Sequence, residues 1–211
     1  ILVEGSEDIN VSVNDINRPG LQLAGFYNYF APERIQVIGK AEWSFLDDMQ
    51  RELRKKRVKK YFTFDIKCLV ITRGLEPHEE FIKEAQNHKV WVLRTKLVTT
   101  QFISKTTIYL ADKLAPETRL HGVLVDVSGI GILITGESGI GKSETALELI
   151  KRGHRLVTDD AVDIKEIDGQ LIGRSPKITI GMLEVRGIGI IDVTTLYGLS
   201  SVVQEKEIKL V

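Results

Sequence analysis

One segment of the 211-residue sequence contains residues whose types and spacing suit phosphate chemistry. It fits the pattern G-x-x-x-x-G-K-[ST] of phosphate-binding loops. Its glycines allow backbone N–H groups to approach a phosphate, Lys142 can reach the β- and γ-phosphates, and Ser143 can hold Mg²⁺. The sequence therefore predicts a nucleotide-binding loop. The predicted loop residues are Gly136, Glu137, Ser138, Gly139, Ile140, Gly141, Lys142 and Ser143.

The segments on either side should place this loop between a strand and a helix. Residues 131–135 ahead of it are apolar and β-branched, as in a buried strand. Residues 144–152 behind it favour a helix, and Gly153 stands where a helix C-cap belongs. This order aims backbone N–H groups and a helix N-terminus at a phosphate. The alternative is a chance glycine turn before an ordinary helix.

Two acidic residues follow the loop at the end of a short apolar segment. Asp159 and Asp160 lie about eighteen residues past Lys142. A carboxylate beside a phosphate-binding loop can bind Mg²⁺ or accept a proton from an attacking hydroxyl. Adjacent strand residues point to opposite faces, so only one aspartate should face the nucleotide unless the strand ends there. A solvated loop pair is the alternative.

A further polar pair and a histidine are candidates for the same site. If residues 183–193 are extended, Glu184 and Arg186 share a face of the strand. The Glu184 carboxylate would then complement Mg²⁺, and the Arg186 guanidinium would complement phosphate oxygens. Taken alone, this pair could instead be a surface ion pair. His121 precedes an apolar strand and could be structural or catalytic.

Composition excludes several classes of protein. The formal net charge is zero, so nothing points to a nucleic-acid or acidic-membrane partner. The single cysteine, Cys68, excludes an internal disulfide and favours a reducing compartment; its apolar surroundings predict a buried strand position rather than catalysis. No apolar run approaches the ~18 residues of a membrane span. The N-terminus lacks the basic region and cleavage site of a signal peptide.

The remaining pattern predicts two domains, residues 1–115 and 116–211. In the first we expect strands and helices in alternation, with a connector helix over about 101–115. The predicted strands are 34–39, 67–72 and 90–94, and the predicted helices are 44–61 and 81–87. The helix 44–61 carries a basic run that could form a binding patch. Glu52 within that run and the zero net charge of the chain favour a solvated helix face instead.

Two hairpins are expected in the second domain. Residues 123–127 and 131–135 are joined by Ser128-Gly129 and should pair antiparallel, which is unusual beside a phosphate-binding loop. Residues 162–167 and 170–173 are joined by Asp168-Gly169, a strong two-residue turn signal. The predicted fold class is α/β, with a small N-terminal α/β domain and a C-terminal P-loop domain that has a mixed sheet.

Four motifs in this order resemble the bacterial HPr kinase/phosphorylase family. The loop with its flanks, 121–127 and 153–160, is similar to that family's catalytic core, and 183–193 is similar to its signature segment. Residues 18–21 and 72–76 resemble its N-terminal domain. The resemblance covers nearly the whole sequence. It implies a catalytic domain akin to phosphoenolpyruvate carboxykinase.

The resemblance also implies two opposed activities in bacterial carbon catabolite regulation. Family members use ATP or pyrophosphate to phosphorylate a serine of HPr, the phosphocarrier of the sugar phosphotransferase system, and remove that phosphate by phosphorolysis. Carried over by motif, Asp160 is the general base and, in reverse, the general acid, with His121 beside it. Ser143 and Glu184 ligate Mg²⁺, and Asp159 supports the metal. Residues 183–192, which include Arg186, contribute to both the phosphorylation and the phosphorolysis reaction.

Further properties follow from the resemblance alone. It implies a cytoplasmic homohexamer assembled through the kinase domains and activated by fructose 1,6-bisphosphate. Family members continue beyond the position of Val211 with a catalytic arginine and helices that contact HPr.

Two other functions are compatible with a phosphate-binding loop. A nucleotide-operated switch would bind ATP or GTP without transferring phosphate, but no guanine-reading N-K-x-D and no LSGGQ-like segment are present. The D-x-x-G match at 126–129 precedes the loop, which is the wrong order for a GTPase. A small-molecule kinase is the third possibility, and the separate N-terminal domain gives no support for or against it.

Overall fold

The computed structural model describes residues 1–6 and 8–211. The chain folds into two compact units, residues 1–114 (unit 1) and 115–211 (unit 2). Each unit has hydrophobic clusters of its own. Among the described residues, no helix is long and apolar enough to cross a membrane.

Unit 1 is a four-stranded parallel sheet with strand order β1-β2-β3-β4 and helices on both faces. Its elements are β1 (Ile16–Asn17), α1 (Gly20–Leu23), β2 (Ile35–Ile38), α2 (Lys40–Asp47), α3 (Arg51–Tyr61), β3 (Cys68–Ile71), α4 (Glu79–His88), β4 (Trp91–Arg94) and α5 (Thr99–Leu114). A strand covered on both faces reads as a continuous apolar run, which is why β3 was recognisable from sequence. The run of β2 contains one buried polar residue, Gln36.

The two faces of this sheet have separate cores. Ile38, Leu69 and Ile71 pack with α2, α3 and α4, whereas Val37 and Val70 pack with α5. Cys68 lies in the second of these clusters, as its apolar surroundings predict. Burial raises the pKa of its thiol to about 11, so the thiol stays protonated and unreactive at neutral pH.

The prediction of one helix over 44–61 is wrong, because two helices occupy this region. α2 ends at Asp47, and α3 begins at Arg51 after Gln50, which has φ −53° and ψ 135°. The Arg54 guanidinium donates to the Leu46 carbonyl at 3.1 Å and so satisfies one of the orphan acceptors at the end of α2. No glycine or proline marks this turn, so the sequence carries no local signal for it.

Unit 2 is built on a seven-stranded mixed sheet with strand order β5-β9-β10-β13-β7-β6-β8. Its elements are β5 (Glu117–His121), β6 (Val123–Val127), β7 (Ile130–Ile134), α6 (Lys142–Lys151), β8 (Arg155–Thr158), β9 (Ala161–Ile167), β10 (Gln170–Arg174), β11 (Met182–Val185), β12 (Gly189–Asp192), α7 (Val193–Tyr197) and β13 (Glu205–Leu210). A 3₁₀ turn, Leu199–Ser201, precedes β13. β11 and β12 form a separate two-stranded sheet.

Both predicted hairpins are confirmed. β7 pairs antiparallel with β6 and parallel with β13, so the strand that leads into the phosphate-binding loop lies inside a mixed sheet. β9 and β10 pair antiparallel around Asp168 and Gly169, which have φ of 51° and 77°. Positive φ at both central residues is the type I′ geometry that Asp-Gly favours.

Two features of unit 2 were not anticipated. β5 pairs with β9 at the sheet edge although all five of its residues are exposed, so it has no buried face to produce an apolar alternation. Residues 183–193 are not one extended segment, since β11 ends at Val185 and β12 begins at Gly189. The condition under which Glu184 and Arg186 would share a strand face is therefore not met, because Arg186 lies in the turn between β11 and β12.

A buried ion network ties three parts of the sheet of unit 2 together. Asp126, on β6, is 1% exposed; it accepts from the Gly129 N–H at 2.7 Å and pairs with Arg155 and with Lys206, the latter at 3.2 Å. Burial alone would raise the pKa of Asp126, but hydrogen bonds from Lys206, Arg155 and the Gly129 N–H outweigh it and lower the pKa below its ordinary 3.8. The carboxylate thus stabilises the fold in its ionised form.

We predict that Asp126→Asn lowers the free energy of unfolding by about 2–3 kcal/mol at pH 7, because it leaves two cations facing a neutral amide. A depressed folded pKa gives a contribution that is present above the unfolded pKa and lost as pH falls through the folded value, so the deficit should shrink below about pH 4. Urea unfolding at pH 7 and pH 3 measures both. Glu148→Gln, in an exposed pair with Arg152, is the control and should cost under ~0.5 kcal/mol.

Candidate active site

The phosphate-binding loop connects the end of β7 to the start of α6. Its three glycines, Gly136, Gly139 and Gly141, have φ of +143°, +84° and +103°, a region that residues with a Cβ rarely enter. Gly141 is the residue before the first turn of α6. The loop therefore has the backbone geometry that the glycine spacing predicted.

The Lys142 side chain lies folded over this loop. It is only 8% exposed, and its Nζ donates to the carbonyls of Gly136 and Glu137, both at 2.9 Å. An ammonium group has three donors, so one N–H remains for a phosphate oxygen. The two carbonyl contacts fix the charge at the loop and remove the need to order a flexible side chain when a ligand arrives.

Asp159 connects the loop to β11. It is 5% exposed; its Oδ1 accepts from Ser143 Oγ at 2.9 Å and its Oδ2 accepts from the Glu184 N–H at 2.9 Å. Because the Ser143 hydroxyl hydrogen is committed to Asp159, the lone pairs of that oxygen are free for a cation. One carboxylate therefore sets the positions of two candidate metal ligands, Ser143 and Glu184.

Asp160 is placed differently from its neighbour. β8 ends at Thr158, so both aspartates lie beyond the strand and the opposite-face rule does not separate them. The Asp160 side chain is 71% exposed, and its Oδ1 lies 2.9 Å from His121 Nδ1. The Asp160 carbonyl is also 2.9 Å from this nitrogen. Since both oxygens are acceptors, His121 Nδ1 carries the hydrogen and donates to them.

The backbone of Asp160 is itself unusual. Its φ of +69° places a non-glycine residue in the left-handed region, at a cost on the order of 1 kcal/mol. Its carbonyl accepts from the Gly122 N–H at 3.1 Å as well as from His121. The end of β5 therefore holds this strained residue in place and keeps its carboxylate at the cleft.

These groups line one open cleft of about 340 Å³. The cleft brings together ten of the predicted site residues: His121, Ser138, Gly139, Gly141, Lys142, Ser143, Asp159, Asp160, Glu184 and Arg186. Gly136, Glu137 and Ile140 do not line it, although the first two accept from Lys142. The Arg186 guanidinium lies against Gly139, where an added Cβ would overlap it. Arg186 therefore reaches the loop from the β11–β12 turn rather than from a strand face.

Four further residues line the cleft that were not singled out individually. Val185, Gly187 and Gly189 belong to the segment whose composition drew attention as a whole, and Glu144 follows the loop directly. Glu144 lies in the first turn of α6, where acidic side chains are common for electrostatic reasons, so its sequence position carried no site-specific signal.

The oxygen donors of this cleft suit Mg²⁺ better than they suit a metal ion that takes all of its ligands from the protein. Among residues 1–6 and 8–211, no group of three or more His, Cys, Asp or Glu is arranged to hold a metal ion. Mg²⁺ usually takes one or two protein oxygens and completes its shell with water and substrate phosphates. The Ser143 hydroxyl and the Glu184 carboxylate, positioned by Asp159, fit that requirement.

Comparison with known proteins gives matches over both units. The family model described as HPr Serine kinase N terminus matches residues 2–110, and HPr Serine kinase C-terminal domain matches residues 112–211. The HPr kinase/phosphorylase of Clostridium beijerinckii is 89% identical over the whole chain, which covers 70% of that protein. That of Clostridium botulinum is 82% identical, with 69% of it covered.

One solved structure is also similar to this chain. It is described as the Hpr(Ser) kinase/phosphatase from Coxiella burnetii, with 47% sequence identity and a TM-score of 0.43. The match covers 44% of this chain and 62% of that one.

Proposed function

This chain belongs to the HPr serine kinase family, and on that premise we propose that the cleft between the phosphate-binding loop and Asp160 is where phosphoryl transfer takes place. The enzyme is a protein-serine kinase and phosphorylase that acts on HPr. The alternative of a nucleotide switch without phosphoryl transfer does not agree with this membership. The observation that carries the assignment to this cleft is the exposed Asp160 carboxylate, which His121 contacts at 2.9 Å beside the loop.

In the forward reaction, the proposed donor is ATP or pyrophosphate bound on the loop. Lys142 and the loop N–H groups neutralise the charge that develops on the transferred phosphoryl oxygens. The serine oxygen of HPr forms a bond to the transferred phosphorus while the bond from that phosphorus to the leaving group, ADP or phosphate, breaks. The Asp160 carboxylate accepts the proton of the serine hydroxyl as this happens. Since a serine hydroxyl is a weak acid, a positioned base is required, and a carboxylate serves in protein kinases as well.

His121 supports Asp160 rather than touching phosphate in this proposal. Its Nδ1–H donates to both the carboxylate and the carbonyl of Asp160, so it fixes the carboxylate's orientation at the cleft.

The reverse reaction uses the same groups in the opposite order. Inorganic phosphate, in place of a nucleotide, attacks the phosphorus of phosphoserine; the bond to the serine oxygen breaks, and protonated Asp160 returns a proton to that oxygen. The products are HPr serine and pyrophosphate. Microscopic reversibility requires that one carboxyl group act as base in one direction and as acid in the other.

We further propose that Ser143 and Glu184 hold Mg²⁺. Mg²⁺ held there would act as a Lewis acid and would neutralise part of the charge of the phosphate groups. Arg186, against the loop at Gly139, is placed to contact phosphate oxygens in both directions. A cytoplasmic location, a homohexameric assembly and a catalytic domain akin to phosphoenolpyruvate carboxykinase remain proposals that rest on the family.

The direct test of the activity is incubation of the full-length protein with HPr, Mg²⁺ and labelled ATP, followed by mapping of the label. We expect one phosphoserine on HPr, and its loss with release of pyrophosphate when phosphate is added. Label on a small molecule but not on HPr would instead support a small-molecule kinase, and bound nucleotide with no transfer would support a switch.

We predict that Asp159→Asn raises the Mg²⁺ concentration needed for half-maximal activity by about 10–100-fold, as is usual for groups that orient metal ligands. The amide can accept from Ser143 but presents a donor to the Glu184 N–H, so one of the two contacts is lost. Activity at saturating Mg²⁺ should fall much less.

A Mg²⁺ titration of the kinase rate makes this measurement. Asp163→Asn, at a carboxylate paired with the exposed Arg119, is the matched control and should leave the Mg²⁺ midpoint unchanged. An Asp159→Asn variant with a reduced maximal rate but the same midpoint would show that Asp159 has another role.

A further inference from the structure

A cluster of basic residues lies in unit 1, at the carboxyl end of its parallel sheet. β2, β3 and β4 are in register, with Ile38 beside Ile71 and Ile71 beside Arg94. Because parallel strands end at the same edge, the residues that follow them lie together. Lys40, Arg73 and Lys96 each stand two residues beyond one of these strand ends, and we call these three residues the edge cluster.

Direct contacts tie the ends of β2 and β3 to the start of α5. The Thr72 and Thr99 hydroxyls are 2.8 Å apart, and the Thr72 hydroxyl also donates to the Ile38 carbonyl at 3.0 Å. Both threonines are buried, and a Cβ on Gly39 would meet the Thr99 side chain. The ends of β2 and β3 and the start of α5 therefore form one polar floor beneath the edge cluster.

The loops that carry Arg73 and Lys96 are fixed to each other. The N–H groups of Arg73 and Gly74 donate to the carbonyls of Leu97 and Thr95 at 2.8 and 2.7 Å. Arg73 has φ +61°, a left-handed conformation that costs an arginine on the order of 1 kcal/mol. The Lys96 stem lies beside Gly74, since a Cβ there would be 3.9 Å from Lys96 Cγ.

The acidic groups at this edge already have partners. Glu42, 7% exposed, accepts from Arg18 at 2.8 Å and from the Gly39 N–H at 2.9 Å. Glu76 pairs with Arg94. Within the part of the chain that the structure describes, the side chains of the edge cluster have no hydrogen bond or ion pair. Three exposed cations thus share one edge without compensating charge, although the protein as a whole is neutral.

We propose that the edge cluster binds a small ligand that carries a phosphate group. An arginine can grip a phosphate through two N–H groups while lysines add point charges, and a dianion would relieve the repulsion among the three cations. The motif Thr72-Arg73-Gly74 would then have a binding role of its own. The residues of the edge cluster all belong to unit 1, whereas the residues that line the proposed catalytic cleft all belong to unit 2.

Intrinsic fluorescence tests the proposal in the full-length protein. The two tryptophans of this chain, Trp43 and Trp91, are both in unit 1, and Trp43 is in the first turn of α2, three residues from Lys40. Inorganic phosphate and glycerol 3-phosphate are titrated separately, with glycerol as the uncharged control. Each titration is repeated in a Lys142→Met background, which weakens phosphate binding at the catalytic loop.

We expect a saturable response with a midpoint below about 1 mM at low salt, retained in the Lys142→Met background. Arg73→Asn and Lys96→Gln should each raise the midpoint at least tenfold; asparagine is chosen at position 73 because it tolerates positive φ. Lys59→Gln, at an exposed lysine of α3, should leave the midpoint unchanged. Response to glycerol 3-phosphate alone would identify an organic phosphate as the ligand, and response to both would identify the phosphate group itself.

Three results would overturn the proposal: no saturable response to either phosphate, a response that disappears with Lys142→Met, or midpoints unchanged in both edge-cluster variants. Circular dichroism and thermal unfolding show whether each variant is folded. If one variant unfolds, the other still decides the outcome.

Discussion

Replacement of Lys142 with methionine should lower kcat/KM for HPr phosphorylation by about 10²–10⁴-fold, equivalent to ~3–5 kcal/mol of transition-state stabilisation. Methionine keeps much of the stem but removes the charge that the Gly136 and Glu137 carbonyls hold at the loop. Because the loop itself keeps its backbone N–H groups, some nucleotide binding should remain. Steady-state kinetics with HPr and ATP make the measurement.

The matched control is Lys151→Met, a lysine in the last turn of the same helix whose side chain is 52% exposed. It should change kcat/KM by less than twofold. If Lys142→Met kept more than a tenth of the activity, the loop would not be the phosphoryl-transfer site that the geometry supports.

The second large effect is expected for Asp160→Asn, which should slow phosphorylation and phosphorolysis together, each by about 10²–10⁴-fold, the usual range for general acid–base catalysis. The amide cannot take up a proton from serine or return one to it. It can still accept from His121 Nδ1–H, so the local structure should be retained. Forward rates are measured as phosphoserine formed, and reverse rates as pyrophosphate released from phosphorylated HPr.

Asp168→Asn is a close control, because Asp168 is also an exposed aspartate with positive φ, in the β9–β10 turn. Both reaction rates should stay within twofold of the unsubstituted protein. Loss of the forward reaction with the reverse reaction intact would rule out one shared acid–base group, and Asp159 would then be the next candidate.

The sequence predicted those parts of the fold that have a local cause. Asp168-Gly169 fixed a hairpin turn, glycine spacing fixed the loop, and a continuous apolar run marked β3. The break between α2 and α3 was missed because a side chain from α3, Arg54, completes it by bonding back to Leu46. β5 was missed because an exposed edge strand has no periodic apolar face to detect.

The same distinction applies to the candidate site. The residue types and their order along the chain were sufficient to select ten of the fourteen residues that line the cleft. The separate roles of these residues were implied only by the family resemblance, because the residue types alone do not reveal tertiary contacts. Asp159 is committed to Ser143 and to the Glu184 N–H, while Asp160 is exposed beside His121, and nothing in two consecutive aspartates distinguishes them. Their catalytic roles remain predictions for the experiments above.

The central claim is that one carboxylate and one phosphate-binding loop act on the same serine oxygen. A crystal structure of the full-length protein with HPr and a non-hydrolysable ATP analogue measures this directly. We expect the terminal phosphate on the loop at Lys142, and an Asp160 oxygen about 2.6–3.2 Å from the HPr serine Oγ. Nucleotide bound away from the loop, or a serine that contacts a different base while Asp160 remains in solvent, would contradict the account.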